Sequence, residues 1–156
     1  MKKRIAYTLS FKNQGYMNFL EALFSECDRL LFYMKETKNP LNKKDEQFLE
    51  YMLQNIYTVT SEEVEEDFYG RAQRNCYQIL ITPEFEKVFK EHYPTMQALF
   101  ASQICEEWMF QRENHIVFWA VSDDLDEGLF TLHLDEEIAY FRSIDGVIYH
   151  EMGILS

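Results

Sequence analysis

The 156-residue sequence predicts an α+β domain, with helices packed on one face of a mostly antiparallel sheet and a hairpin-rich C-terminal third. Three observations carry this expectation. The chain opens with period-two alternation and then changes to helical spacing. Further helical stripes fill its middle. The last third is strand-like and punctuated by turn signals. Helices grouped ahead of strands argue for α+β rather than an alternating α/β order.

The elements follow in sequence. Ile5, Tyr7, Leu9 and Phe11 alternate with Arg4, Ala6, Thr8 and Ser10, as in a half-buried strand. Asn13 and Gly15 mark a turn. From Tyr16 to Met34 the apolar residues Tyr16, Phe19, Leu20, Leu23, Phe24, Cys27, Leu30, Leu31 and Met34 recur at helical spacing. The spacing predicts one helix, capped by Asn13, ended by Lys35 and Lys38, and stopped by Pro40. A second helix is expected after Asn42, with Asp45 three residues on and Leu49, Met52, Leu53 and Ile56 as its stripe, widened by Phe48. Leu23 and Leu53 are the central core positions of these two stripes.

Thr60 and Glu63 fit a capping box, so Glu62 to Tyr69 reads as a short acidic helix ended by Gly70. Cys76 to Ile81 reads as a strand. Thr82-Pro83 is a helix start, with Phe85, Val88, Phe89 and His92 facing inward. Thr95 to about Gln111 is expected to be another helix, carrying Met96, Leu99, Phe100, Ile104 and Trp108. His115–Ser122 and Leu129–Leu134 form a hairpin around the acidic loop 123–128. Asp145-Gly146 suggests a second hairpin between 138–144 and 147–152. The competing reading makes Asp135 an N-cap and 136–142 a short helix.

Length and composition set the class. A chain of this size is one ordinary domain, 1–156, and needs no staple to hold its core. Cys27, Cys76 and Cys105 are odd in number, widely spaced and set among apolar residues, as expected of reduced buried thiols. No secretory cleavage pattern and no apolar run of membrane-spanning length is present, so a cytoplasmic location is expected. The net charge is −12 and unevenly placed. Residues 1–45 hold nine Lys and Arg against five acids, and residues 46–156 hold six against 22. Phosphates would be repelled by the acidic part, which argues against direct nucleic-acid binding.

The motifs of common chemistries are missing. Gly15, Gly70, Gly128, Gly146 and Gly153 stand alone, so no glycine-rich phosphate loop can be written. No nucleophile elbow or paired-histidine zinc helix occurs. His92, His115, His133 and His150 show no i+3 or i+4 pairing. Asp123-Asp124-Leu125-Asp126-Glu127-Gly128 departs from an EF-hand loop, because Leu125 would fall where an oxygen ligand is needed. No cofactor or metal is expected.

Three acidic clusters stand out: Glu62, Glu63, Glu65, Glu66 and Asp67; Asp123, Asp124, Asp126 and Glu127; and Asp135, Glu136 and Glu137. Solvated faces that maintain solubility are the plain reading. The functional reading is a negative surface for a basic protein, with Tyr69, Trp108 and Tyr140 as aromatic anchors at its rim. The expectation is therefore a small acidic inhibitor, an immunity protein that neutralises a basic, nuclease-type toxin domain by direct binding. The alternatives are a small hydrolase using His133 or His150 with a carboxylate, and a self-associating regulatory or phage anti-defence module.

Overall fold

The computed structural model describes residues 4–35, 40–66, 70–121, 128–133 and 139–155. Eight strands form one sheet: β1 (Arg4–Phe11), β2 (Arg29–Met34), β3 (Ile56–Glu66), β4 (Gly70–Leu80), β5 (Cys105–Arg112), β6 (His115–Val121), β7 (Gly128–His133) and β8 (Val147–Leu155). Their order is β3-β4-β2-β5-β6-β7-β1-β8, and every pairing is antiparallel. The helices are α1 (Gly15–Glu26), α2 (Lys43–Gln54), α3 (Pro83–His92) and the short α4 (Met96–Phe100), with a 3-10 turn over Ala139–Ser143. The α+β expectation is thus met.

One face of the sheet carries the core. Helix α1 buries Phe19, Leu20, Leu23 and Phe24. Such side chains contribute about 1.5–3 kcal/mol each when taken from water. Phe24 meets Phe110 of β5 edge-to-face at 5.2 Å, and Phe19 meets Phe118 of β6 at 5.1 Å. Helix α3 sets Phe89 against Trp108 at 5.4 Å. Helix α2 leans on α3: Phe48 stacks on His92 at 4.2 Å, and His92 Nε2 meets Asp45 Oδ1 at 2.8 Å. Burial pushes the His92 pKa down, and the Asp45 carboxylate pulls it back up.

Two caps form as their sequences require. Asn42 accepts from the Asp45 amide at 2.8 Å, and Thr82 accepts from the Phe85 amide at 3.1 Å ahead of Pro83. The first helix departs from its predicted span. Asn13 does not cap it but takes φ 56°, and the helix ends at Glu26 instead of running to Met34. The Asp28 backbone is drawn into the sheet instead: its N–H donates to Gln111 and its C=O accepts from Ile81. Leu30 and Phe32 then point into the core from a strand.

The helix predicted for Thr95–Gln111 stops at Phe100. Ser102 Oγ accepts from the amides of Ile104 and Cys105, both at 3.2 Å, and pairs with the Tyr93 hydroxyl at 2.8 Å. A side chain that bonds the next amides competes with helix continuation, and β5 begins there. The acidic helix predicted over Glu62–Tyr69 is a strand as far as Glu66, and residues 67–69 lie outside the described residues. Glu62 to Glu66 continue β3 opposite β4, with Glu62 paired to Arg74 and Glu65 to Arg71.

The first C-terminal hairpin is present, since β6 pairs with β7 in antiparallel register. The second is not. Residues 139–143 form the 3-10 turn, close to the competing helical reading, and β8 pairs with β1. The Asp145-Gly146 turn serves another purpose. Gly146, at φ 82°, accepts from the Lys12 amide at 2.9 Å, and Asp145 C=O accepts from Asn18 Nδ2 at 3.1 Å. The turn lies against the start of α1, where a Cβ on Gly15 would sit 2.0 Å from the Gly146 carbonyl oxygen.

Leu23 is fully buried, whereas Leu53, predicted as its counterpart, is 46% exposed. The buried face of α2 runs through Met52 of the predicted stripe and through Phe48, which widens it. Leu23→Ala is expected to cost about 2–5 kcal/mol and Leu53→Ala within about 0.5 kcal/mol, measured by denaturant titration. Gly15→Ala, which meets backbone rather than a movable side chain, is expected to lose at least about 1–3 kcal/mol. A wild-type melting curve for that variant would show that the turn yields freely.

Candidate protein-binding face

Residues directly opposite each other in an antiparallel ladder lie on the same side of the sheet. Phe32 sits between Tyr77 and Trp108, so these share the helix-packed side. One position away, Leu31 sits between Gln78 and Met109, and Met109 is opposite Trp119. Arg29 is opposite Leu80 and Gln111, and Tyr33 is opposite Glu107. These residues make up the second side, on which no helix packs among the described residues. Trp119 is 38% exposed and Leu80 42%. Thr8, Ser10, Ile148 and His150 extend that side across β1 and β8, where His150 Nε2 meets Ser10 Oγ at 3.0 Å.

One end of this side is ionic. The Arg74 guanidinium lies over the Tyr33 ring, 3.6 Å from its centroid. It pairs with Glu107 at 2.9 Å and with Glu106 at 3.4 Å. The Tyr33 hydroxyl donates to Glu62 Oε2 at 2.8 Å. Burial pushes the Glu107 carboxyl above the usual carboxylate range, against the pull of Arg74. Burial and the bond to Glu62 push the Tyr33 phenol up, and burial does the same for the Cys76 thiol. The Arg74–Glu106 pair is exposed and screened, so it contributes little. The inner pair matters more, because loss of either partner leaves a half-buried charge. At the other end Arg29 sits 5.4 Å from the Tyr57 ring centroid.

Six of the predicted site residues are among those described: Glu62, Glu63, Glu65, Glu66, Trp108 and Tyr140. Of the first acidic cluster, Glu62 joins the ionic network, and Glu63, Glu65 and Glu66 occupy β3 positions opposite Gln73, Arg71 and Gly70. Asp67 and Tyr69 lie outside the described residues, as do Asp123, Asp124, Asp126, Glu127, Asp135, Glu136 and Glu137. Trp108 is no rim anchor. It is fully buried between Phe89, Phe32 and Tyr93, and its Nε1 has no hydrogen-bond partner in the structure. Tyr140 is 45% exposed, but its hydroxyl donates to Glu26 of α1 at 2.6 Å, on the helical side.

His92 meets Asp45, and His150 meets Ser10. No carboxylate hydrogen-bonds to His150 among the described residues, and the His133 side chain lies outside them. Among the described residues no group of three or more His, Cys, Asp and Glu is placed to hold a metal ion. His92 and Asp45 line an open groove of about 600 Å³ with Phe48, Tyr51 and Tyr93. No described helix is long and apolar enough to cross a membrane. The residues that sequence reasoning missed are Tyr33, Arg74, Glu107, Met109 and Trp119. A period-two signal was available for two of them: Glu107 and Met109, with Gln111, alternate with Trp108 and Phe110. No family model, curated protein or solved structure matches this chain.

The ionic end has a measurable signature. Because the folded pKa of Glu107 is raised, folding disfavours its ionised form. Its contribution to stability therefore falls as pH rises through that raised pKa. Arg74→Met removes the counter-charge and is expected to cost about 1–3 kcal/mol at neutral pH, with the deficit shrinking as pH falls. Adding Glu107→Gln should recover part of the loss. Equal deficits in the single and double variants would assign Arg74 a packing role on Tyr33 alone.

Proposed function

We propose that this chain is a small protein-binding inhibitor, an immunity protein that neutralises a basic toxin domain by direct contact in a reducing cytoplasm. The single observation that supports this reading most is the helix-free side of the sheet. It presents Trp119, Met109, Tyr33, Arg29 and Arg74 together, flanked by Leu31 and Leu80. Trp, Tyr, Met and Arg are the residue types that interfaces concentrate. A sheet side on which no helix packs among the described residues, and which carries exposed Trp119 and Leu80, is a surface that a partner can cover.

Charge supports the choice of a basic partner. The net charge of −12 accelerates encounter with a cationic protein and repels other acidic chains. Cys27, Cys76 and Cys105 are all buried and joined in no disulfide, in keeping with a reducing compartment. For His150 the hydrolase alternative lacks a carboxylate partner among the described residues, since its ring meets a serine hydroxyl.

The test uses a candidate partner, the product of a toxin gene adjacent to this one, with kinetics measured across a salt series. Association should be fast at low ionic strength and slow steeply as the Debye length shrinks from about 30 Å at 0.01 M to about 8 Å at 0.15 M. Trp119→Ala and Met109→Lys should each accelerate dissociation at least about tenfold, close to 1.4 kcal/mol. Binding indifferent to both substitutions would remove the helix-free side from the interface. An on-rate indifferent to salt would remove the basic partner.

A further inference from the structure

The groove on the helical side of the sheet is a second, separable feature of this molecule. The geometry points to it as a binding site for a planar organic cation rich in N–H donors, an amidinium or guanidinium group. The inference goes beyond the interface proposed above, which lies on the other side of the sheet.

The groove has a volume of about 600 Å³, the size of a small-molecule site. Its walls combine the rings of Phe48, Tyr51 and Tyr93 with the side chains of Asp45, Glu91 and His92. His92 is held from three directions. Phe48 stacks on its ring at 4.2 Å with 7° between the planes, and Tyr93 meets it edge-on at 4.7 Å. Asp45 Oδ1 lies 2.8 Å from Nε2. A carboxylate only accepts, so Nε2 carries the proton and Nδ1 of the neutral ring keeps a lone pair. Burial favours that neutral ring, against the pull of Asp45. Nδ1 makes no hydrogen bond among the described residues. It is not sealed in either, because the one fully buried side-chain atom without a partner among those residues is Trp108 Nε1. Nδ1 is therefore a fixed acceptor, within reach of solvent, that a ligand's donor can satisfy.

Charge selects the sign of that ligand. Glu91 and Lys44 both line the groove, both are exposed, and they offset one another. The start of α2 and the end of α3 border it together, so their dipoles oppose. The half-buried Asp45 carboxylate is left as the charge that counts. An amidinium brings N–H donors in one plane and a single positive charge. The donors answer Nδ1, the charge answers Asp45, and the flat cation suits a wall of rings.

The probe is benzamidine, and the control is benzoate, which keeps the flat shape but reverses the charge and the hydrogen-bonding role. NMR titration of the full chain should give benzamidine a Kd of about 1 mM or tighter. Benzoate should bind at least about tenfold more weakly. Shifts should concentrate at Asp45, Phe48, Glu91 and His92. Affinity should fall as pH drops through the His92 titration, followed by its ring nitrogen shifts. Protonation turns Nδ1 into a donor, while an amidinium keeps its charge. The charged groups around that ring are Asp45 and Lys44 of α2 and Glu91 of α3. His92→Phe keeps a ring on Phe48 but removes the acceptor. It should weaken binding at least about tenfold and flatten the pH profile. Ala101→Phe, at an exposed position on the groove, should block binding in a chain that melts like the wild type. Trp119→Ala should change nothing, so the groove and the helix-free side can fail separately. A capped peptide with one arginine between glycines separates the sources of the cation. Competition with benzamidine would assign it to an arginine side chain of a protein, and no competition to a free small molecule. The inference is overturned if benzamidine does not bind, if benzoate binds as well, if the shifts fall outside the groove, or if either natively melting groove variant binds benzamidine normally.

Discussion

One-sided aromatic packing is the constraint on which the rest of the structure depends. Phe24, Phe85 and Phe89 interlock between α1 and α3, Phe110 and Trp108 of β5 meet them, and Phe118 of β6 meets Phe19 of α1. Edge-to-face contacts of this kind add about 0.5–1.5 kcal/mol each to the burial of the rings. They also fix the helices in place, because a ring held edge-on to several others cannot slide without losing them together. All the apolar weight of the helices therefore falls on one face of the sheet.

That asymmetry gives the other face its character. A sheet covered by helices on both sides would read as continuous apolar strands. Here the strands bury Leu30, Phe32, Trp108 and Phe110 on one side and present Arg29, Leu31, Tyr33, Glu107 and Met109 on the other. The polar members are not loose. Arg74 is held between the Tyr33 ring and two glutamates, and Tyr33 is held in turn by Glu62. Side chains fixed before contact lose less freedom when a partner arrives, which favours affinity without added area.

The Gly15–Gly146 contact ties the chain's ends into this arrangement. The Asp145-Gly146 turn closes on the start of α1, while β8 pairs with β1 immediately before it. Two glycines meeting backbone to backbone leave no room for a side chain, so the approach is set by residue identity rather than by hydrophobic pattern. Ser102 has a comparable local role. Its hydroxyl accepts two backbone amides and meets Tyr93, and this turns the chain out of a helix and into β5.

By itself the sequence determined whatever depends on neighbours along the chain. The period-two start became β1, the capped stripes after Asn42 and Thr82 became α2 and α3, and the apolar pair around the acidic loop became β6 and β7. The α+β class and the buried thiols were legible in the same way. Tertiary structure alone decided the segments whose residues suit both periods. Leu30, Leu31 and Met34 fit a helix stripe, yet pairing with β4 and β5 drew them into β2. Trp108 fits a helical stripe from Met96, yet strand partners on both sides took it into the core. The glutamates after Thr60 fit a capped helix until the arginines of β4 arrived opposite them. The physical reason is common to all three. A ladder's hydrogen bonds come from residues far away in sequence, so a strand's stability is not written in its own spacing. The helix-free face, which joins β2, β4, β5 and β6 side by side, exists only once those distant partners have met.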